Sequence, residues 1–154
     1  MLSVVFVCTG NICRSPVAEV VFRHEVEAAG LADRVRVSSA GISGWHAGDG
    51  MDERAAAVLE AAGYSSAHTA RQVDAEQWGA DLLVALDDGH RRALQARAPE
   101  PGRVRLLRSF DPAAPAGAEV PDPYYADDSA FDDVLRMIEA AMPGLLDWVR
   151  AQQP

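Results

Sequence analysis

A chain of 154 residues with 49% apolar and 24% charged content is long enough for one domain with a proper core. Its formal net charge of −9 argues against nucleic acid or an anionic membrane surface as a partner, since both require basic patches. All 14 basic residues are Arg; the lack of Lys excludes a nucleotide-binding loop ending in Gly-Lys-Ser/Thr and excludes Schiff-base chemistry.

The first element is the apolar run Leu2 to Val7, rich in β-branched residues and without polar alternation. It reads as a strand buried on both faces. The start MLSVVFVCTG has no basic region and is not read as a signal peptide, and no stretch approaches the ~20 apolar residues of a membrane span. A cytoplasmic location is the expectation. After Pro16, VAEVVFRHEVEAAG carries apolar residues three and four apart and predicts a helix, with Ser15 as N-cap, Pro16 in the first helical position and Gly30 on the C-cap side.

Residues 34 to 40 predict a second strand, followed by a glycine-rich loop at 41–51 that carries Trp45 and His46. Asp52 to Ala62 reads as a helix closed by Gly63, and another helix starts near Asp74. A third buried strand is expected at 81–86, then a helix capped by Asp87 and Asp88 and running to about Ala98. Residues 104 to 107 make a short fourth strand, 109 to 126 a long Pro- and Ala-rich loop, and 127 to 151 a last helix. Pro143-Gly144 predicts a kink, a split or a turn in that helix. Strands alternating with helices predict a single α/β domain over residues 1–154, a four-stranded parallel sheet flanked by helices on both faces. Ligands on such sheets bind at the carboxyl ends of strands, where Cys8 stands.

The junction between the first strand and the first helix reads Cys8-Thr9-Gly10-Asn11-Ile12-Cys13-Arg14-Ser15-Pro16. Successive backbone N–H groups in such a loop form an anion nest, and the helix N-terminus adds partial positive charge. Gly10 is expected to take a backbone conformation that a side chain would forbid. Arg14 offers paired N–H donors to a phosphate and is always charged. The same field stabilises a thiolate, which makes Cys8 a nucleophile at neutral pH. Ser15 is placed to donate its hydroxyl to the Cys8 sulfur. The two cysteines share this loop, so neither a disulfide framework nor a zinc site is expected, and no metal or cofactor is predicted.

CTGNICRSP resembles the signature of the low-molecular-weight protein tyrosine phosphatases. The resemblance runs along nearly the whole chain, through Ser39-Ala40, Ala70-Arg71-Gln72 and Asp122-Pro123-Tyr124-Tyr125. It implies a protein-tyrosine-phosphatase acting on a phosphotyrosine-containing protein. In this scheme Cys8 attacks the phosphate and forms a phosphocysteine, and Thr9, Gly10, Asn11, Ile12, Cys13, Arg14 and Ser15 hold the oxygens. Asp122 in the Pro121-Asp122-Pro123 segment then protonates the leaving group, and in the second step the same carboxylate can take a proton from the attacking water. Taken alone Asp122 reads first as a solvated acid, because Asp111, Glu119, Asp127, Asp128, Asp132 and Asp133 crowd the region; the Cys8 loop turns the reading toward the general acid.

The resemblance further implies that Asn11, Ser39 and His68 form a hydrogen-bond network under the loop. It also implies that Cys13 can trap an oxidised Cys8 as a disulfide and that Tyr124 and Tyr125 are open to phosphorylation. Asn11 reads either as a surface loop residue or as a left-handed brace of the nest. Asp87 reads as a helix cap or as a residue near the site's mouth. Trp45 and Tyr124 are expected to wall a slot for an aromatic ring with Ile12 at its base, with Tyr125 beside them; packing of Trp45 onto the fold is the other reading. His24, His46 and His90 are expected to be solvated. Acidic flanks on the enzyme favour substrates with basic flanks. A monomer or weak dimer is expected.

Three other functions compete. A protein arginine phosphatase of this fold carries, by the same resemblance, Thr where Ile12 stands. An arsenate reductase needs a relay of further cysteines, and none follows Cys13. A non-catalytic phosphate-binding module has no use for Cys8 and Asp122 together.

Overall fold

The strand β1 (Leu2–Cys8) is the centre of the molecule, pairing with a parallel neighbour on each side. The computed structural model describes residues 1–152. All pairings are parallel, in the order β2–β1–β3–β4, with β2 spanning Val35–Gly41, β3 Leu82–Ala85 and β4 Val104–Leu106. The apolar run of β1, broken only by Ser3, is accounted for by two cores. Val4, Phe6 and Cys8 face the larger one, and Val5 and Val7 face a smaller one with Leu83, Ala85, Leu94 and Val104.

Helices α1 (Arg14–Ala28), α2 (Glu53–Ala61) and α5 (Ser129–Ala151) contribute to the larger core, where Phe22 meets Phe6 edge-on at 5.7 Å between ring centroids. The short α3 (Ala75–Trp78) and α4 (Asp88–Arg97) lie with the smaller core on the other face. The expected doubly covered parallel sheet is the fold observed. Because β2 and β3 flank β1, the chain reverses its direction of winding at the carboxyl end of β1, where such sheets bind ligands. No helix among the described residues is long and apolar enough to cross a membrane.

Two local expectations are corrected. Helix α1 starts at Arg14, its N-cap position is Cys13, and no side chain caps it. Ser15 lies inside the first turn, and its hydroxyl is taken by Asn11 and Cys8. The second concerns Pro143, which neither splits nor turns α5; the helix runs through it. Pro143 and Glu139, the residue whose carbonyl loses its partner, are both on the exposed side, so water can satisfy the freed group. The halves on either side bury Ile138, Met142, Leu145 and Val149 in one core, and burial worth roughly 1.5–3 kcal/mol per side chain outweighs one missing bond.

Gly144 permits a close approach. A β-carbon there would overlap the carbonyl oxygen of Phe110 in the 3-10 turn Leu107–Phe110 that α5 packs on. Gly144→Ala is therefore expected to cost about 1–3 kcal/mol of stability and several degrees of Tm. Gly102→Ala, which points into open space, is the control. Equal melting temperatures for the two variants would contradict the packing account.

Candidate active site

β1 delivers Cys8 to the end of the sheet, paired with Gly41 of β2. The chain turns through Thr9–Cys13 into α1. Among the described residues, no acceptor in the protein takes the N–H groups of Gly10, Asn11, Ile12 or Cys13. A loop with free amides ahead of a 15-residue helix is suited to an anion. The left-handed backbone in this loop belongs to Asn11, with φ of 58°, and not to Gly10. At Gly10 the constraint is space, since a β-carbon would come within 2.9 Å of the His46 ring.

Asn11 can hold that conformation because its side chain is bonded at both ends. Its Nδ2 donates to Ser15 Oγ at 2.8 Å and to Ser39 Oγ at 2.9 Å, and its Oδ1 accepts the Arg71 N–H at 3.0 Å. His68 Nε2 lies 2.7 Å from the Asn11 carbonyl oxygen, and Ser39 Oγ donates to Glu19 at 2.5 Å. Asn11, Ser39 and His68 are thus together under the loop. With its oxygen receiving from Asn11, the Ser15 hydroxyl has its proton free for Cys8 Sγ, 2.9 Å away, in preference to the Ala40 carbonyl at 3.5 Å.

Arg14 is only 3% exposed. A buried guanidinium requires partners, and NH1 donates to Asp87 Oδ2 at 2.9 Å and to the Val120 carbonyl at 2.9 Å. Asp87 therefore has both roles that its sequence position allowed. It caps α4 by accepting the His90 N–H at 2.9 Å, and it anchors Arg14. Burial alone would raise the Asp87 carboxyl, but the bonds from His90 and Arg14 outweigh it and hold the carboxyl below its ordinary value. Val120 is fully buried, and its N–H donates to the Leu86 carbonyl at 2.9 Å. This pins the long 109–126 loop two residues before Asp122. Asp122 Oδ1 accepts the Tyr124 N–H at 3.1 Å, and its Oδ2 stands 3.8 Å from Arg14 NH2, leaving half of the side chain exposed to the cavity.

The cavity so formed measures about 510 Å³ and is lined by Cys8, the loop from Thr9 to Arg14, Ser43, Trp45, His46, Asp122, Tyr124 and Tyr125, with Asn11 alone of the loop residues turned away beneath it. Trp45 is 86% exposed, so it stands at the rim and does not pack on the fold. Tyr124 meets Tyr125 edge-on at 4.9 Å, and the Arg54 guanidinium lies 5.4 Å from the Tyr124 ring and 4.5 Å from that of Phe131. Cys13 is buried; burial first, then the charges of Asp52, Cys8 and Asp122, push its thiol up to about 12. It is a neutral thiol beside Cys8 at physiological pH.

The family description "Low molecular weight phosphotyrosine protein phosphatase" matches residues 3–154. The chain belongs to this family. It is 56% identical over 149 residues to the low molecular weight protein-tyrosine phosphatase A of Mycobacterium tuberculosis, covering 96% of this chain and 91% of the relative. It is 54% identical over 155 residues to the low molecular weight protein-tyrosine-phosphatase of Streptomyces coelicolor, covering 97% and 94%. A crystal structure of a protein tyrosine phosphatase from Entamoeba histolytica superposes with a TM-score of 0.92 at 30% identity and covers 98% of each chain. The chain is accordingly a phosphatase, a hydrolase of the low-molecular-weight class.

Within this phosphatase, two of the three histidines expected in solvent stand elsewhere. His24 is exposed, edge-on to Tyr64. His46 lines the cavity. His90 is buried, with Nε2 2.9 Å from Thr9 Oγ1. His90 is the third residue after Asp87, one helical turn on from the cap that follows β3, but nothing local to it marks its burial beside Thr9. Val120 and Arg54 were also missed. A lone Val in a Pro/Ala loop and an Arg in a helical first turn carry no local mark of their partners.

Burial is the main cause that pushes His90 down to about 4; Asp87, Asp122 and Glu119 oppose it and Arg14 adds to it. The unfolded chain therefore binds the proton first, and the neutral-imidazole contribution, complete above about 6.5, is lost as pH falls toward about 4. Asp87 has its effect at lower pH, because its carboxyl is held down. In urea unfolding, His90→Gln is expected to flatten the pH dependence between those values by a few kcal/mol. Parallel curves for wild type and variant would contradict it.

Proposed function

We propose that the enzyme hydrolyses phosphotyrosine in two steps, without metal, through a phosphocysteine. In the first step the Cys8 thiolate attacks phosphorus, an S–P bond forms and the P–O bond to the phenol breaks. Asp122 gives its proton to the leaving oxygen. In the second step Asp122 takes a proton from water as the water oxygen attacks phosphorus, and the S–P bond breaks. The thiolate that leaves is stabilised by the Ser15 hydroxyl. Arg14 and the free loop amides neutralise charge on the equatorial oxygens throughout. A phenol has an ordinary pKa of ~10, so the acid is expected to contribute roughly 10²–10⁴-fold.

The observation that supports this reading most is the meeting of Cys8, Arg14 and Asp122, distant in sequence, on one cavity. Its aromatic rim of Trp45, Tyr124 and Tyr125 over Ile12 favours a phosphorylated ring over a short phosphoserine, which would not reach the sulfur.

Matched phosphotyrosine, phosphoarginine and phosphoserine peptides, offered with chelator present, test the proposal. Phosphotyrosine turnover is expected in the wild type, abolished by Cys8→Ser and slowed roughly 10²–10⁴-fold by Asp122→Asn. A preference for phosphoarginine would overturn the substrate and leave the steps. Loss of turnover on chelation would overturn the metal-free mechanism.

A further inference from the structure

The network of Asn11, Ser39 and His68 braces the loop from the β2 side. A second set of contacts stands on the β3 side, and no step above uses it. His90 is 5% exposed. Its Nε2 lies 2.9 Å from Thr9 Oγ1, and its Nδ1 lies 3.2 Å from Asp87 Oδ1. Asp87 Oδ2 in turn accepts from Arg14 NH1 at 2.9 Å. A continuous path of part-buried polar contacts, with His90 and Arg14 as its buried members, thus joins Thr9, the residue after the nucleophile, to the guanidinium.

We propose that His90 is a positioning residue: through Thr9 and Asp87 it holds the start of the phosphate loop and the Arg14 guanidinium at the spacing that a phosphoryl group requires. The inference rests on the phosphate-loop reading above.

The chemistry of the two neighbours fixes the imidazole's role. Asp87 presents only lone pairs, so the ring proton belongs on Nδ1, on the carboxylate side, although it is too far out of line there to count as a hydrogen bond. Nε2 then accepts the Thr9 hydroxyl proton. A neutral ring suits this: burial disfavours the charged imidazole and Arg14 from α1 adds to that, and together they outweigh Asp87 on its own helix cap and Asp122 and Glu119 on the long loop. Thr9 is itself on the cavity wall, so its orientation is felt by whatever anion enters.

The test is steady-state hydrolysis of an aryl phosphate by the purified full chain, with inorganic phosphate as competitive inhibitor. Four variants are compared: His90→Gln, His90→Asn, Thr9→Val and the combination of the last two. The Gln amide reaches where Nε2 stands, and the Asn amide reaches only the Asp87 side. His90→Asn is expected to raise the phosphate inhibition constant and lower kcat about tenfold, the size of one lost hydrogen bond. His90→Gln should stay within about threefold of wild type. Thr9→Val should match His90→Asn, and the combination should lose no more than either alone, since both cut one link.

A merely structural His90 would lower Tm while leaving the phosphate inhibition constant and kcat unchanged, and that result overturns the proposal. Equal losses for the Gln and Asn variants, or additive losses in the combination, overturn it too. Should His90→Asn fail to fold, Thr9→Val decides: wild-type phosphate inhibition in that variant overturns the proposal, and a tenfold loss supports it. A wild type that phosphate does not inhibit overturns the phosphate-loop reading itself, and the proposal with it.

Discussion

A guanidinium taken out of water must be met by acceptors, and Arg14 is the constraint on which the site's assembly depends. It sits in the first turn of α1, fixed to the end of β1 by chain connectivity. Its acceptors come from elsewhere: a carboxylate at the end of β3 and a backbone carbonyl in the loop before α5. Burying this one charge therefore draws the loop after Cys8, the cap of α4 and the segment carrying Asp122 to a single point. Removing Asp87 would leave the buried cation with only the more distant, half-exposed Asp122 as its counterion.

The loop between Cys8 and Arg14 has no ladder of its own, and its shape is borrowed from side chains. On one side Asn11 takes the left-handed conformation and is tied to Ser15, Ser39, Arg71 and, through its carbonyl, His68. On the other side Thr9 is tied to His90. Backbone bonds complete the frame, with the Asp52 N–H donating to the Ile12 carbonyl at 2.8 Å and the Ser43 N–H to the Thr9 carbonyl at 3.0 Å. Amides held in place by such a frame need no reorganisation when an anion arrives, which is the condition for strong electrostatic stabilisation.

What the sequence made legible followed from contiguous signals. The buried strand, the Cys-to-Arg loop and the alternation of strands and helices each lie within a short window, and the fold and family follow from them. Asp122's place on the cavity was legible only through the resemblance that the Cys8 loop carries, since on composition alone the residue reads as a solvated acid in an acidic loop. His90 was not, because burial of a histidine is decided by what folds over it, here Thr9 from a strand end far away in the chain. The cap at Ser15 failed for a related reason: a hydroxyl that suits a helix N-terminus by rule was claimed by Asn11 and Cys8. Pro143 signalled a break by its own chemistry, and the shared core on both sides of it overrode that signal. Local rules read the backbone correctly until long-range packing offers the same group a better partner.

The central claim is that phosphorus passes through a covalent bond to Cys8. Rapid acid quench of the Asp122→Asn enzyme during turnover of an activated aryl phosphate, followed by peptide mass analysis, tests it most directly. With a good leaving group the first step needs little acid, while the second lacks its base, so the intermediate should accumulate. The account predicts a phosphoryl adduct on the peptide containing Cys8, absent from Cys8→Ser. Turnover by Asp122→Asn that proceeds with no adduct on Cys8 at any time, or with an adduct on another residue, would contradict it.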